Sequence, residues 1–193
     1  NRYQLFEPLG TGSMGQIFRA YDQLTRQTVA LKRVFFSSLQ PANLEFRLAL
    51  TRDFQVLATL RHPHVIAVQD YGFDEEQRPY FTMELLAQAH PITKAAQFLT
   101  EKARIDLLVQ LLQALVYVHR QGIVHRDIKP GNVLVSPRGV KLLDFGLATS
   151  RDAATPPSGT LSYMAPELLQ GEPASASSDL FSVGVIAYEL FAG

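Results

Sequence analysis

Apolar and polar positions follow one rhythm in the first third of the chain and another in the remainder. Segments 3–9, 17–21 and 28–34 are short runs rich in β-branched and aromatic residues. The glycines at 10, 12 and 15 and the polar stretch 22–27 separate them, and the pattern predicts strands. From 44 to 60 the period becomes helical: Leu44, Leu48, Phe54, Leu57 and Leu60 recur at helical spacing, and Arg61-His62-Pro63 stops the helix. Segments 65–73 and 79–86 predict two more strands, while 88–98 fits neither period. The clearest helix is 100–120, with Thr100 as N-cap, Ile105, Leu108, Leu111, Leu112, Leu115 and Val118 as the apolar stripe, and Gly122 as the stop. Short apolar runs at 133–135 and 140–143 flank a turn. Residues 149–162, rich in Ser, Thr, Pro and Ala, predict a mobile loop, and 183–191 a buried helix. A strand-rich part gives way to a helix-rich part after Leu86.

Composition narrows the function classes. The chain has 193 residues, 47% of them hydrophobic, which is ample for a core and argues against disorder. Eighteen basic and eighteen acidic residues cancel, so there is none of the positive field a nucleic-acid binder needs. With no cysteine, neither disulfides nor thiolate metal sites can form; this fits a reducing compartment. No apolar run approaches the ~20 residues of a membrane span, and residues 1–15 lack the core of a signal peptide. The start at Asn1 and the stop at Gly193 inside an apolar helical pattern read as an excised piece of a longer protein.

Several polar groups stand out against this background. Gly10-Thr11-Gly12-Ser13-Met14-Gly15 has the GxGxxG spacing, shared by dinucleotide-binding turns and by hairpins that lie over phosphates. Its place between two strands favours the hairpin, where glycine lets backbone N–H groups approach an anion. Taken alone, it is also compatible with an ordinary glycine-rich hairpin. Lys32 ends an otherwise apolar strand, either solvated with its stem packed or as a point charge for phosphates. His125-Arg126-Asp127-Ile128-Lys129-Pro130-Gly131-Asn132 concentrates polar side chains between a helix and a strand. Asp127, Lys129 and Asn132 can supply a hydroxyl-orienting base, a phosphate cation and a metal ligand. Asp144-Phe145-Gly146 follows an apolar strand directly. Asn132 and Asp144 offer hard oxygen ligands, which suit Mg²⁺.

In order along the whole chain, GTGSMGQI, VALK, HRDIKPGN, DFG, Gly159-Thr160 leading to Ala165-Pro166-Glu167, and Asp179 in DLFSVG resemble the eukaryotic-like (Hanks-type) protein kinases. Lys129 two residues after Asp127 is similar to the serine/threonine branch, and LRHPHVIAVQDYGF to bacterial members. The resemblance implies an α+β, two-lobed protein-kinase-like fold: a β-rich small lobe at 1–84 and a mainly helical large lobe at 85–193, incomplete at the C-terminus, with ATP and Mg²⁺ bound between them. It implies that Gly10, Gly12 and Gly15 cover the phosphates, that Lys32 holds them, and that Leu9 belongs with the nucleotide-binding residues. Ile17, Ala30 and Leu134 then sandwich the adenine, Met83 sits behind it, and Glu84 to Leu86 form the hinge. Asp127 orients the substrate hydroxyl, Lys129 steadies the transferring group, and Asn132 and Asp144 bind Mg²⁺. Leu57, His125 and Phe145 stack as a spine, and Asp179 anchors the catalytic loop.

Two departures accompany the resemblance. The family pairs the strand lysine with a glutamate, and here that place falls on Asp53, one methylene shorter. A pair then needs a closer helix or a bridging water; otherwise Asp53 is a solvated helix residue. Glu45, the rival, lies eight residues earlier, about 12 Å along a helix. The expected arginine partner of Glu167 is also missing. The implied activity is ATP-dependent phosphoryl transfer to serine or threonine hydroxyls of a protein substrate, in cytoplasmic signal transduction, with a kinase dimer for autophosphorylation. The full-length protein could still be membrane-attached. Two rivals remain: a pseudokinase that only binds, and a small-molecule kinase of related fold. Against the second stand the 147–163 loop and the APE segment, which suit a protein substrate.

Overall fold

The computed structural model describes residues 2–12, 15–35, 44–145 and 161–192, with the backbone alone for 44–47, 49, 50 and 53. The chain divides into two compact units. The first comprises Asn1–Leu60 and Ala67–Leu86; the second comprises Arg61–Ile66 and Ala87–Gly193.

In the first unit an antiparallel sheet runs in the order β1 (Tyr3–Gly12), β2 (Gly15–Asp22), β3 (Gln27–Val34), β5 (Pro79–Glu84), β4 (Val68–Phe73). Strand pairing puts successive side chains on opposite faces. On one face Ala20, Val29 and Leu31 pack under Tyr3 and Tyr80, whose rings meet edge to face at 5.6 Å. On the other, α1 (Leu44–Thr59) delivers Phe54, 1% exposed, onto Phe81 (5.1 Å between centroids) and Tyr71 (5.6 Å). Asp22 closes the β2–β3 turn, accepting from Leu24 N and Thr25 Oγ1, while Arg2 clamps its carboxylate from β1's side.

The second unit is mainly helical. It contains α2 (Ile92–Ala96), α3 (Glu101–Arg120), α4 (Pro166–Leu169) and α5 (Ala176–Ala192), plus a small sheet of β6 (His90–Pro91), β7 (Val133–Ser136) and β8 (Gly139–Leu142). Thr100 caps α3 by accepting from Ala103 N at 3.3 Å, and Gly122 turns the chain away at φ +73°. Leu107, Leu111, Ala114, Leu115 and Val118 form α3's buried stripe. Ile105 and Leu112, assigned to that stripe from the sequence, are exposed. The apolar arc of this helix is wider than the face its described neighbours cover, so periodicity alone could not choose its centre.

The ambiguous segment 88–98 resolves into β6 and α2, too short to show a period. Segment 65–73 yields a strand only from Val68. Residues 61–66 instead join the second unit, with His64 beside Val140 and Val65 bridged to Leu142. Helix α5 begins seven residues before the predicted 183, because Ser175, Ser178 and Asp179 form a polar first turn that breaks the apolar pattern. Val183, Ile186 and Leu190 are buried, and Phe191 is exposed. Among the described residues, no helix is long and apolar enough to cross a membrane.

Candidate active site

The glycine hairpin and Lys32 lie in the first unit. Gly10 pairs with Ile17, Thr11 with Gln16 and Gly12 with Gly15. The glycines differ in what they require. A Cβ on Gly15 would lie 2.2 Å from the Arg33 carbonyl oxygen, so β2 can approach β3 there only without a side chain. At Gly10 and Gly12 a Cβ would meet no described atom within 4 Å. Ser13 and Met14 lie outside the described residues.

Cross-strand pairing sets Ile17 opposite Lys32, Lys32 opposite Phe81, and Ala30 opposite Met83, so these side chains share one sheet face. Lys32 is 6% exposed rather than solvated, its ammonium 5.9 Å from the centre of the Phe81 ring. Its burial excludes the reading of a surface lysine. Leu9 is exposed and Leu86 half-buried. Glu84 is held inside the unit, exchanging backbone bonds with Val29's strand and accepting from Ala67 N at 3.2 Å through Oε1. The Asp53 and Glu45 side chains lie outside the described residues.

The second unit gathers the polar loop 125–132 around one buried carboxylate. Asp179, 1% exposed on α5, accepts from His125 N (2.8 Å) and His119 Nε2 (2.8 Å) through Oδ2, and from Arg126 N (2.9 Å) through Oδ1. These bonds hold Arg126 at φ +73°, a conformation that non-glycine residues seldom adopt. His125 is fully buried. Its Nε2–H donates to the Leu143 carbonyl at 2.7 Å, its Nδ1 accepts from Asp127 N at 3.3 Å, and its ring rests on Phe145 at 4.8 Å. Burial pushes the His125 pKa down, outweighing the nearby carboxylates, so the neutral tautomer with one donor and one acceptor fits both bonds.

The loop then turns Asp127 toward its neighbours. Lys129 Nζ donates to Asp127 Oδ2 at 2.7 Å, and Asn132 Nδ2 donates to the same oxygen at 2.9 Å and to the Asp127 carbonyl at 2.7 Å. With both amide hydrogens on Asp127, the Asn132 oxygen faces away from it. Leu143 N donates to Asn132 O at 2.8 Å, tying this loop to the end of β8, after which Asp144 stands at φ +56°. Leu134 is half-buried on β7 between Pro91 and Lys141. The structure thus brings Asp127, Lys129 and Asn132 into one hydrogen-bonded cluster and links it to Asp144 through the backbone. Gly146 and residues 149–160, with the GT pair, lie outside the described residues.

Two partners were not anticipated from the sequence. Glu167 accepts from Ser178 Oγ at 2.7 Å, and this bond lowers its pKa, so the carboxylate expected to lack a partner has one. Ser175-x-x-Ser178 marks a helix start, but nothing in that spacing points to Glu167 on another helix. The second is His119 on Asp179; nothing in the sequence ties it to a residue sixty positions on.

Residues 3–193 match the family model for the protein kinase domain. The chain belongs to the protein kinase family. Its curated relatives include the serine/threonine-protein kinase PknA of Mycobacterium tuberculosis, 37% identical over all of this chain and 47% of the relative. A probable serine/threonine-protein kinase of Streptomyces coelicolor is 35% identical, over 98% of this chain and 30% of its own length. The chain therefore spans about half or less of these relatives. Among solved structures, the kinase domain of M. tuberculosis PknI is similar at 28% identity with a TM-score of 0.77, covering 99% of this chain and 72% of that one. These likenesses place the domain among the bacterial Hanks-type serine/threonine kinases and establish the two-lobed kinase fold.

Proposed function

We propose that this domain transfers the γ-phosphoryl group of ATP to serine or threonine hydroxyls of a protein substrate. The observation that carries the reading is the Asp127–Lys129–Asn132 cluster on a loop whose main chain is pinned by buried Asp179. Asp127 accepts and orients the substrate hydroxyl. Lys129, 2.7 Å from that carboxylate, sets a cation beside it to meet the transferred group. Little covalent chemistry is required of the protein; positioning and charge stabilisation do the work.

The residues present fit ATP with Mg²⁺. Among the described residues nothing lies within 4 Å of a Cβ built on Gly10 or Gly12, which supports room for phosphates over them. Among the described residues no group of three or more His, Cys, Asp or Glu is placed to hold a metal ion. Asn132 and Asp144 are two oxygen donors, a set that suits Mg²⁺, which keeps waters and phosphate oxygens as its remaining ligands. When bound, the ion neutralises charge on the phosphate oxygens. Leu9, Gly10, Gly12 and Gly15 then lie over the nucleotide, Lys32 holds its phosphates, and Ile17, Ala30, Met83, Glu84, Leu86 and Leu134 hold its base. Asp53 on α1 is the candidate partner of Lys32. The requirement for ATP suits a cytoplasmic location, and autophosphorylation of the 149–162 loop would run from one copy of the kinase to another.

The test is transfer from labelled ATP to a protein acceptor by the full-length protein and by Asp127→Asn. General-base positioning typically contributes about 10²–10⁴-fold, so the variant should lose transfer while nucleotide binding persists. Retention of more than half the activity removes Asp127 from this role. A wild-type protein that binds ATP and transfers nothing is a pseudokinase.

A further inference from the structure

Asp179 takes a third donor that the backbone of the catalytic loop does not supply. His119 Nε2 lies 2.8 Å from Asp179 Oδ2, the oxygen that also accepts His125 N. Facing a carboxylate, which only accepts, that nitrogen carries the hydrogen. His119 is on the last turn of α3 and Asp179 on the first turn of α5, so the bond joins two helices at the place where the loop crosses them. A carboxylate side chain turns about its Cα–Cβ and Cβ–Cγ bonds. Two loop amides on its two oxygens fix where the loop lies relative to Asp179, but not where Asp179 lies relative to α3. The His119 bond supplies that third point.

We infer that His119 is a positioning residue for phosphoryl transfer: by donating to Asp179 it fixes the carboxylate that holds the His125 and Arg126 amides, and through them the direction of Asp127. The inference rests on the kinase reading above. Arg126 at φ +73° is the element that needs this support, since the conformation persists only where its surroundings over-determine it. Arg126 is followed directly by Asp127, so a small rotation of the main chain there swings the carboxylate, and misplacement by about 1 Å costs up to 10²-fold in rate. His119 touches no reacting atom, and its side chain retains some exposure, 18% against 2% for that of Asp179.

The test compares His119→Gln, which keeps an N–H donor, with His119→Met, which has similar bulk and none, in the full-length protein. The expected result is a fall of about tenfold in kcat for Met, with the KM for ATP changed less, and a kcat for Gln within about threefold of wild type. Amide hydrogen exchange supplies a readout independent of activity. In the Met variant the amides of His125 and Arg126 should exchange faster, while those of Leu111 and Leu115 on α3 keep the wild-type rate. A Met variant with at least half the wild-type kcat overturns the inference. So does a Gln variant that falls as far as Met, or exchange that quickens uniformly along α3, which would make His119 a structural residue only. If the wild-type protein transfers no phosphate, the kinase reading fails, and the exchange pattern still decides whether His119 holds the loop.

Discussion

At the scale of single residues, the three glycines of the hairpin look alike in sequence and separate in the structure. Gly15→Ala places a methyl 2.2 Å from the Arg33 carbonyl, closer than a Cβ can approach, so β2 must move away from β3. We expect it to lower stability by about 1–3 kcal/mol, the usual range for overpacking and backbone strain, measured as a shift in the urea midpoint. Gly10→Ala and Gly12→Ala meet no described atom within 4 Å and should leave that midpoint nearly unchanged while weakening ATP binding. Equal destabilisation by all three would show that the hairpin is a packing motif and not a phosphate cover. Asp53 raises a different question at this scale. If it pairs with Lys32, Asp53→Glu restores the longer reach and populates the active arrangement more fully, and Asp53→Asn lowers activity. A partly solvated pair contributes only a modest amount, so the contrast between the two variants is the measurement. Identical rates and ATP affinities in both would identify Asp53 as a surface residue.

At the scale of elements, Phe54 joins α1 to the sheet. It is almost fully buried and touches two aromatic rings on β4 and β5. Phe54→Ala should cost about 3–5 kcal/mol, the range for emptying a buried aromatic site, and the urea midpoint measures it; a loss below 1 kcal/mol would mean that α1 is not held to the sheet through this ring. The same element shows what the sequence made legible. Of the residues at helical spacing, Phe54, Leu57 and Leu60 are buried, while Leu48 is exposed. Strands with polar turns, such as 27–34, were equally readable because hairpin pairing is local in sequence. Segments 61–66 and 88–98 were not, because their structure comes from distant partners: His64 beside Val140, and His90 and Pro91 paired with Val135 and Leu134. The candidate site divides in the same way. Glycines, Lys32, Asp127, Lys129, Asn132 and Asp144 were legible from their motifs. His119 and Ser178 were not, since each acts through a carboxylate on another helix. The exposed positions Ile105 and Leu112 belong to the same class, since which part of a wide apolar arc is covered depends on its neighbours.

At the scale of the whole molecule, the two units carry different acid sensitivities. In the first unit the perturbed acids are carboxylates. Asp22 is held well below the ordinary range, chiefly by the Arg2 hydrogen bond. Asp74 is lowered because bonds from Arg78 outweigh the opposing effect of burial. Groups of this kind contribute stability above the unfolded carboxylate value of about 4 and lose it as pH falls further. The second unit holds His125 and His62, both lowered first of all by burial; a positive neighbour, Lys141, and His64 add to the effect on His62. A histidine that must be neutral when folded binds more protons once unfolded. Folding therefore carries no penalty above the ordinary imidazole value of about 6.5 and an increasing one below it. For His125 the slope is at most about 1.4 kcal/mol per pH unit; His62 is more solvated and contributes less. The geometry agrees with the sign, because protonation would put a hydrogen on Nδ1, where Asp127 N already donates. Between pH 7.5 and 5.5 the second unit should therefore lose stability while the first does not. Urea unfolding followed by helical circular dichroism should show its midpoint falling over that range, and His62→Gln should leave most of the fall in place. A midpoint that stays flat until pH 4.5 would mean that His125 accepts a proton without disturbing the catalytic loop, and that the Asp127 N to Nδ1 bond does not constrain it.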